Sequence, residues 1–145
     1  MEVASILKAK GPRVETTRPD TDIRLVLHKL ATLGIGSVVV STDGRTVEGM
    51  VSERDVVCGL NRHGQQFLDM RAGEVMSRNA PTCSPADTLQ QVMAVMTRTR
   101  HRHLPVVDAE GVLCGIVSIG DVVKHRLGEI ELERDVLRDA YVARH

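Results

Sequence analysis

The chain has 145 residues, with 19 basic and 19 acidic side chains and only two aromatic residues, Phe67 and Tyr141. Balanced charge gives no overall field to attract nucleic acid or an anionic membrane, and so few rings leave no stacking platform for single-stranded bases. No run of about 18 apolar residues could span a bilayer and no leader or lipid-anchor motif opens the chain, so the expected location is cytoplasmic. Cys58, Cys83 and Cys114 are odd in number and form no C-x-x-C pair. They read as small buried hydrophobes in a reducing compartment and not as a disulfide framework.

In chain order, Val14-Glu15-Thr16 is a short extended piece ended by Pro19. Ile23, Val26, Leu27 and Leu30 then recur at helical spacing, and Gly34 supplies the stop. Val38-Val39-Val40 suits a strand buried on both faces. Thr42-Asp43-Gly44 turns the chain into a second strand, Val47 to Val51, and Ser52 is a natural cap for a helix starting near Glu53. Asn61 to Gly73 is a polar, Gly-containing connector leading to Val75-Met76. Asp87 and Gln90 have the spacing of a capping-box variant, opening a helix that buries Leu89, Val92, Met93 and Met96. Leu104 to Val107 and Val112 to Val117 are strands, turned around Glu110-Gly111. After Asp121 a long terminal helix runs through Leu127, Ile130, Val136 and Leu137, with an interruption expected near Gly128.

That plan is stated twice. Residues 14–57 overlie residues 80–123 without a gap, and ten of the 44 pairs are identical, where average composition gives about three. Each half is small for independent stability, so the two are expected to share one core. The strongest repetition is Gly49-Met50-Val51-Ser52-Glu53-Arg54-Asp55-Val56-Val57 upon Gly115-Ile116-Val117-Ser118-Ile119-Gly120-Asp121-Val122-Val123. Each copy falls at a strand-to-helix seam. A carboxylate there can accept both hydroxyls of a ribose, while the Ser hydroxyl and the free amides of the first turn can hold phosphate. Ser52 and Ser118 are equally explained as helix caps, with Asp55 and Asp121 favouring the positive helix end. Duplication copies caps as readily as sites, so the residues alone stop at a ribose and phosphate site or a pair of caps.

Both halves resemble CBS domains, and the tandem resembles a Bateman module of the stand-alone bacterial kind. The segments that carry the resemblance are Ile35 to Val40, Gly49 to Val57, Val75-Met76, Pro81 to Pro85, His103 to Asp108 and Gly115 to Val123. It implies an α+β fold of two β-α-β-β-α repeats about a pseudo-two-fold axis, each with a three-stranded sheet. The expected divisions are repeat 1 at 1–61, a connector at 62–73, repeat 2 at 74–127 and a helical extension at 128–145. The resemblance further implies adenine-nucleotide binding (AMP, NAD(H) or ATP) in clefts between the repeats, with no required cofactor. Asp55 with Ser52, and Asp121 with Ser118, would hold ribose and phosphate. Backbone near Thr16 and Thr82 would meet the adenine edge, and Val38 and Leu104 would flank the base. A homodimer is implied, through helix faces containing Leu27 and Leu30 or Met93 and Met96, together with an unidentified regulated protein.

The repeats also diverge. Arg102-His103 in repeat 2 stand where repeat 1 has Gly36-Ser37, and Arg54 stands where repeat 2 has Gly120. The Asp55 cleft is therefore expected to draw on Arg54, Arg102 and His103, whereas the Asp121 cleft would receive only Gly36 and Ser37 from the opposite repeat. No Ser-His-Asp order, H-E-x-x-H or Walker loop suggests an enzyme. His101-x-His103 invites a metal but lacks further ligands at zinc spacing. The alternative to a ligand sensor is a purely structural association module with empty clefts.

Overall fold

A computed structural model describes residues 1–144; His145, the last residue of the expected helical extension, lies outside the described residues. Helix α1 (Val3–Lys10) comes first, followed by β1 (Thr16–Thr17), α2 (Ile23–Leu33), β2 (Ser37–Val40), β3 (Gly49–Ser52) and α3 (Glu53–His63). A 3-10 turn (Gly64–Asp69) and the short α4 (Ala72–Val75) lead into α5 (Leu89–Thr99), β4 (His103–Val107), β5 (Leu113–Ser118) and α6 (Ile119–Arg144).

In repeat 1, β1 pairs parallel with β2, which pairs antiparallel with β3. Repeat 2 has the antiparallel β4–β5 pair, and in place of the expected third strand it has a single parallel bridge, Cys83 to Val106. That bridge is the duplicate of the Thr17–Val40 pairing in repeat 1, so the path is kept although the strand is reduced to one residue. The α5 capping box uses Thr88 and Gln91, one residue beyond the expected Asp87 and Gln90. Asp87 Oδ2 is committed to the backbone N–H of Ser84 in the preceding turn. Helix α6 runs continuously through Gly128, where an interruption was expected.

There is no single shared core. Ile23, Val26, Leu30, Val38, Val40, Val51, Phe67 and Ala72 form one cluster, and Leu89, Val92, Met96, Leu104, Val106, Val117 and Val122 form another with Val3 and Ile6. Each cluster is completed by a segment from outside its own strand-and-helix unit. Helix α1 docks on repeat 2: the Val3 N–H donates to Asp87 O, the Ala4 N–H to Pro85 O, and the Leu89 N–H to Met1 O, at 2.9, 2.9 and 3.2 Å. The stretch at α4 docks on repeat 1 in the same way: Ala72 N–H to Thr21 O, Gly73 N–H to Pro19 O and Ile23 N–H to Met70 O, at 2.8, 2.8 and 2.9 Å.

This lacing explains the glycine that opens each motif. A Cβ on Gly49 would sit 2.8 Å from Ser77 O and collide with Met76, and one on Gly115 would collide with Leu7. A bare backbone at Gly49 lets Met76 and Ser77 lie across β3, and at Gly115 it leaves room for the Leu7 side chain on β5.

Several residues picked for a dimer face are used internally. Leu30 and Met96 are core, Leu27 packs against the core, and Met93 alone of the four is exposed. Among the cysteines, Cys83 is buried, its thiol pushed up to about 12 chiefly by that burial, but Cys58 is exposed, against the expectation of a buried hydrophobe.

Candidate functional site

Both Ser-x-x-Asp pairs close the turn that starts a helix. Ser52 caps α3 by accepting from the Asp55 N–H at 3.2 Å, while Asp55 Oδ2 accepts from the Ser52 N–H at 2.8 Å and its hydroxyl at 3.0 Å. Ser118 and Asp121 repeat this at α6, with N–H donations of 3.1 Å to Ser118 Oγ and 2.9 Å to Asp121 Oδ2. The reciprocal bonds satisfy two amides at each helix start and fix each carboxylate at the seam.

The two carboxylates then differ in what reaches them from the docked segments. Ser77, just beyond α4, donates its hydroxyl to Asp55 Oδ1 at 3.0 Å. Lys10, at the end of α1, places Nζ 2.7 Å from Asp121 Oδ2 and 3.1 Å from Ile116 O. Burial would raise the Asp121 carboxyl, but the hydrogen bond and charge of Lys10, with the Ser118 N–H, bring it below its ordinary value.

Two clefts lie between the repeats, and their walls are duplicates of each other. The larger, about 700 Å³, is lined by Met50, Ser52, Arg54 and Asp55 from repeat 1 and by Thr99 to His103 from repeat 2. The smaller, about 470 Å³, is lined by Ile116 and Ser118 from repeat 2 and by Leu33 to Ser37 from repeat 1. Both volumes suit a nucleotide-sized ligand. Where one wall reads Leu33-Gly34-Ile35-Gly36-Ser37, the other reads Thr99-Arg100-His101-Arg102-His103, so the Asp55 cleft gathers Arg100, His101 and Arg102, which the Asp121 cleft does not have.

His103 stands between the clefts and lines both. A Cβ on Gly36 would lie 2.9 Å from the His103 ring, so glycine there is what lets the imidazole approach. Burial holds His103 below its ordinary value, against the opposing pull of Glu53. Two polar atoms in these walls are buried without a hydrogen-bond partner, His101 Nδ1 in the larger cleft and Ser37 Oγ in the smaller.

Of the residues singled out from sequence, Ser52, Arg54, Asp55, Arg102 and His103 converge on the larger cleft, and Ser118 lines the smaller with Asp121 bonded beside it. Thr16 and Thr82 line neither cleft; the Thr16 carbonyl accepts from Lys29 Nζ at 2.6 Å. Val38 and Leu104, expected to flank a base, line neither cleft. Both are fully buried in the repeat cores, and the clefts are lined instead by the residues just ahead of them, Ile35 to Ser37 and His101 to His103. Nor is the Asp121 cleft limited to Gly36 and Ser37 from repeat 1: Lys10, Arg13 and Glu15 also line it. Burial raises the Glu15 carboxyl, but hydrogen bonds from Lys29 and Arg13 outweigh this and leave it below the ordinary value. Arg100 and, as a cleft residue and not a metal candidate, His101 were missed, as were Lys10 and Ser77. The duplication register carried the signal for the first two, since it pairs Arg100 with Gly34 and His101 with Ile35.

A family model for the CBS domain matches residues 6–61 and 72–128, and the chain belongs to that family, with two domains in tandem. A CBS-domain protein from Agrobacterium tumefaciens is 39% identical with a TM-score of 0.82, the match covering 87% of this chain and 99% of that one. CBSX2 from Arabidopsis thaliana, whose crystal structure was determined in complex with AMP, is 26% identical with a TM-score of 0.74, over 88% of this chain and 96% of that one. A 33.4 kDa protein from Thermofilum pendens is 35% identical over 88% of this chain, which spans only 40% of that protein's length. No described helix is long and apolar enough to cross a membrane.

Proposed function

We propose that this chain is a regulatory module that binds an adenine nucleotide between its repeats and performs no chemistry on it. AMP and NAD(H) are the first candidates and ATP the next. The observation that carries the reading is the larger cleft, where a carboxylate at a helix start faces a wall of Arg100, Arg102 and His103 across a space of about 700 Å³. The AMP complex of CBSX2, a protein of the same fold, supports the ligand class. Ribose hydroxyls rest on Asp55, and phosphate is held by Ser52, Arg54, Arg102 and His103. The ligand acts by population shift, favouring one arrangement of the two repeats and so of the surface offered to a regulated protein. The module works in the cytoplasm as a homodimer, packed through exposed apolar positions of the helices after each motif, such as Val57 and Val123.

The test is mass spectrometry of ligands released from fresh protein, followed by calorimetry. Asp55→Ala should abolish the tighter binding step. Arg102→Ala should weaken AMP about tenfold or more, the worth of a charge-assisted hydrogen bond of about 1.5–3 kcal/mol, while leaving adenosine within about threefold. Purified protein that carries no nucleotide and shows no thermal shift with any adenine nucleotide would instead identify a structural association module.

A further inference from the structure

We infer that Lys10 sets the ligand class of the Asp121 cleft, admitting adenine nucleotides that carry a phosphate and rejecting neutral nucleosides. This rests on the reading of the clefts as adenine-nucleotide sites and assigns to one of them a cation brought from the opposite end of the chain.

The Asp121 carboxylate is engaged within the chain. Oδ2 accepts from Lys10 Nζ at 2.7 Å and from the Ser118 N–H at 2.9 Å. Oδ2 thereby has both lone pairs in use, so a ribose diol held across the two carboxylate oxygens takes Oδ1 and competes with Lys10 for Oδ2. Lys10 is the last residue of α1 and its amine also donates to Ile116 O at 3.1 Å, a second hold on the wall of the cleft that it lines. Moved off Asp121, the ammonium loses its charge-assisted partner. Glu15, the acid that lines this cleft, is already paired with Arg13 at 2.9 Å and Lys29 at 3.4 Å. The replacement anion therefore comes from the ligand.

A nucleotide provides it: the diol takes Asp121 and the phosphate takes Lys10, so the ion pair is exchanged for two charge-assisted contacts. Adenosine breaks the pair and returns nothing to the amine. Ser37 supplies an independent sign that the cleft receives a polar ligand, since its hydroxyl is buried, unpartnered and in the wall. The Asp55 cleft lacks this device, because its carboxylate is met by the neutral Ser77 hydroxyl at 3.0 Å.

Calorimetry with AMP and adenosine in an Asp55→Ala background isolates the Asp121 cleft. AMP should bind at least about tenfold more tightly than adenosine. Lys10→Met should weaken AMP and tighten adenosine, so that the preference falls about tenfold, and Lys10→Gln should do the same if the methionine variant does not fold. Lys10→Arg should keep the preference within about threefold. An unchanged preference in a folded Lys10→Met or Lys10→Gln protein that still binds AMP overturns the assignment and leaves a structural ion pair. If wild type binds AMP but the Asp55→Ala protein binds neither ligand, the Lys10 role is equally overturned. If wild type itself binds neither, it is the nucleotide reading that fails.

Discussion

Arg100 occupies the left-handed region at φ 58°, the only described residue other than glycine with a positive φ, at the end of α5. Its duplicate is Gly34, which ends α2 in the same conformation at φ 62°. The side chain costs about 1–2 kcal/mol there relative to glycine, and it lines the larger cleft, where strain of this kind persists when it serves a ligand. Arg100→Gly should therefore raise stability by about 1 kcal/mol, read as a higher Tm, while weakening AMP. His103 gives a pH dependence of definite sign. Its folded-state value lies below the ordinary 6.5, so in acid the unfolded chain takes up a proton that the folded one resists. Stability attributable to His103 is intact above pH 6.5 and is lost as pH falls below it. Denaturant midpoints at pH 7.5 and 5.5 should drop less in His103→Gln than in wild type. Both residues were visible in the sequence, but only His103 was read. Arg102-His103 announced a charge by their type, whereas the role of Arg100 depends on a backbone angle that only the pairing with Gly34 hinted at.

Periodic apolar positions made the helices and strands legible, and failures came where burial follows another rule. The connector is an example. Asn61 to Gly73 reads as polar, yet it contains Phe67, fully buried in the core of repeat 1. Gly59, on α3, leaves the space for that ring, and a Cβ there would overlap it. Gly59→Ala gains about 1 kcal/mol of helix propensity but must displace a packed aromatic ring, at about 1–3 kcal/mol or more. A net loss of stability should appear in chemical denaturation, with Gly59→Ala in a Phe67→Leu background showing a smaller loss than in wild type. Val38 and Leu104 fail for the complementary reason. A strand buried along its whole length carries no alternation to say which positions face a ligand, and β2 is buried at all four of its residues. The cleft positions therefore had to come from geometry.

At the scale of the molecule the duplication was legible because strands and helices hold one register, 66 positions apart. The leading segments do not. Met1 to Ala4 and Met70 to Gly73 make equivalent bonds at a spacing of 69, three residues out of step, so an ungapped comparison passes over them. The lacing they create sets where damage is felt. Ile6 is fully buried in the core of repeat 2, so Ile6→Ala should cost about 2–5 kcal/mol. Amide exchange should speed up most in β4 and β5, although the substitution lies at the opposite end of the chain. An effect confined to repeat 1 would contradict the crossed docking.

The same crossing bears on how the chain comes to be folded. Repeat 1 is complete once residues 70–76 have been made, because its docking segment follows it directly. Helix α1 is made first and used last: the carbonyl that receives the Val3 amide belongs to Asp87, and the sheet that receives Leu7 ends at Ser118. Throughout synthesis of the intervening chain, Val3 and Ile6 have no partner surface, and the loop they must eventually close is among the longest in the molecule. Closure of that loop carries one of the larger entropic costs in the molecule and should be the slow step of folding, late on the ribosome and late in refolding alike.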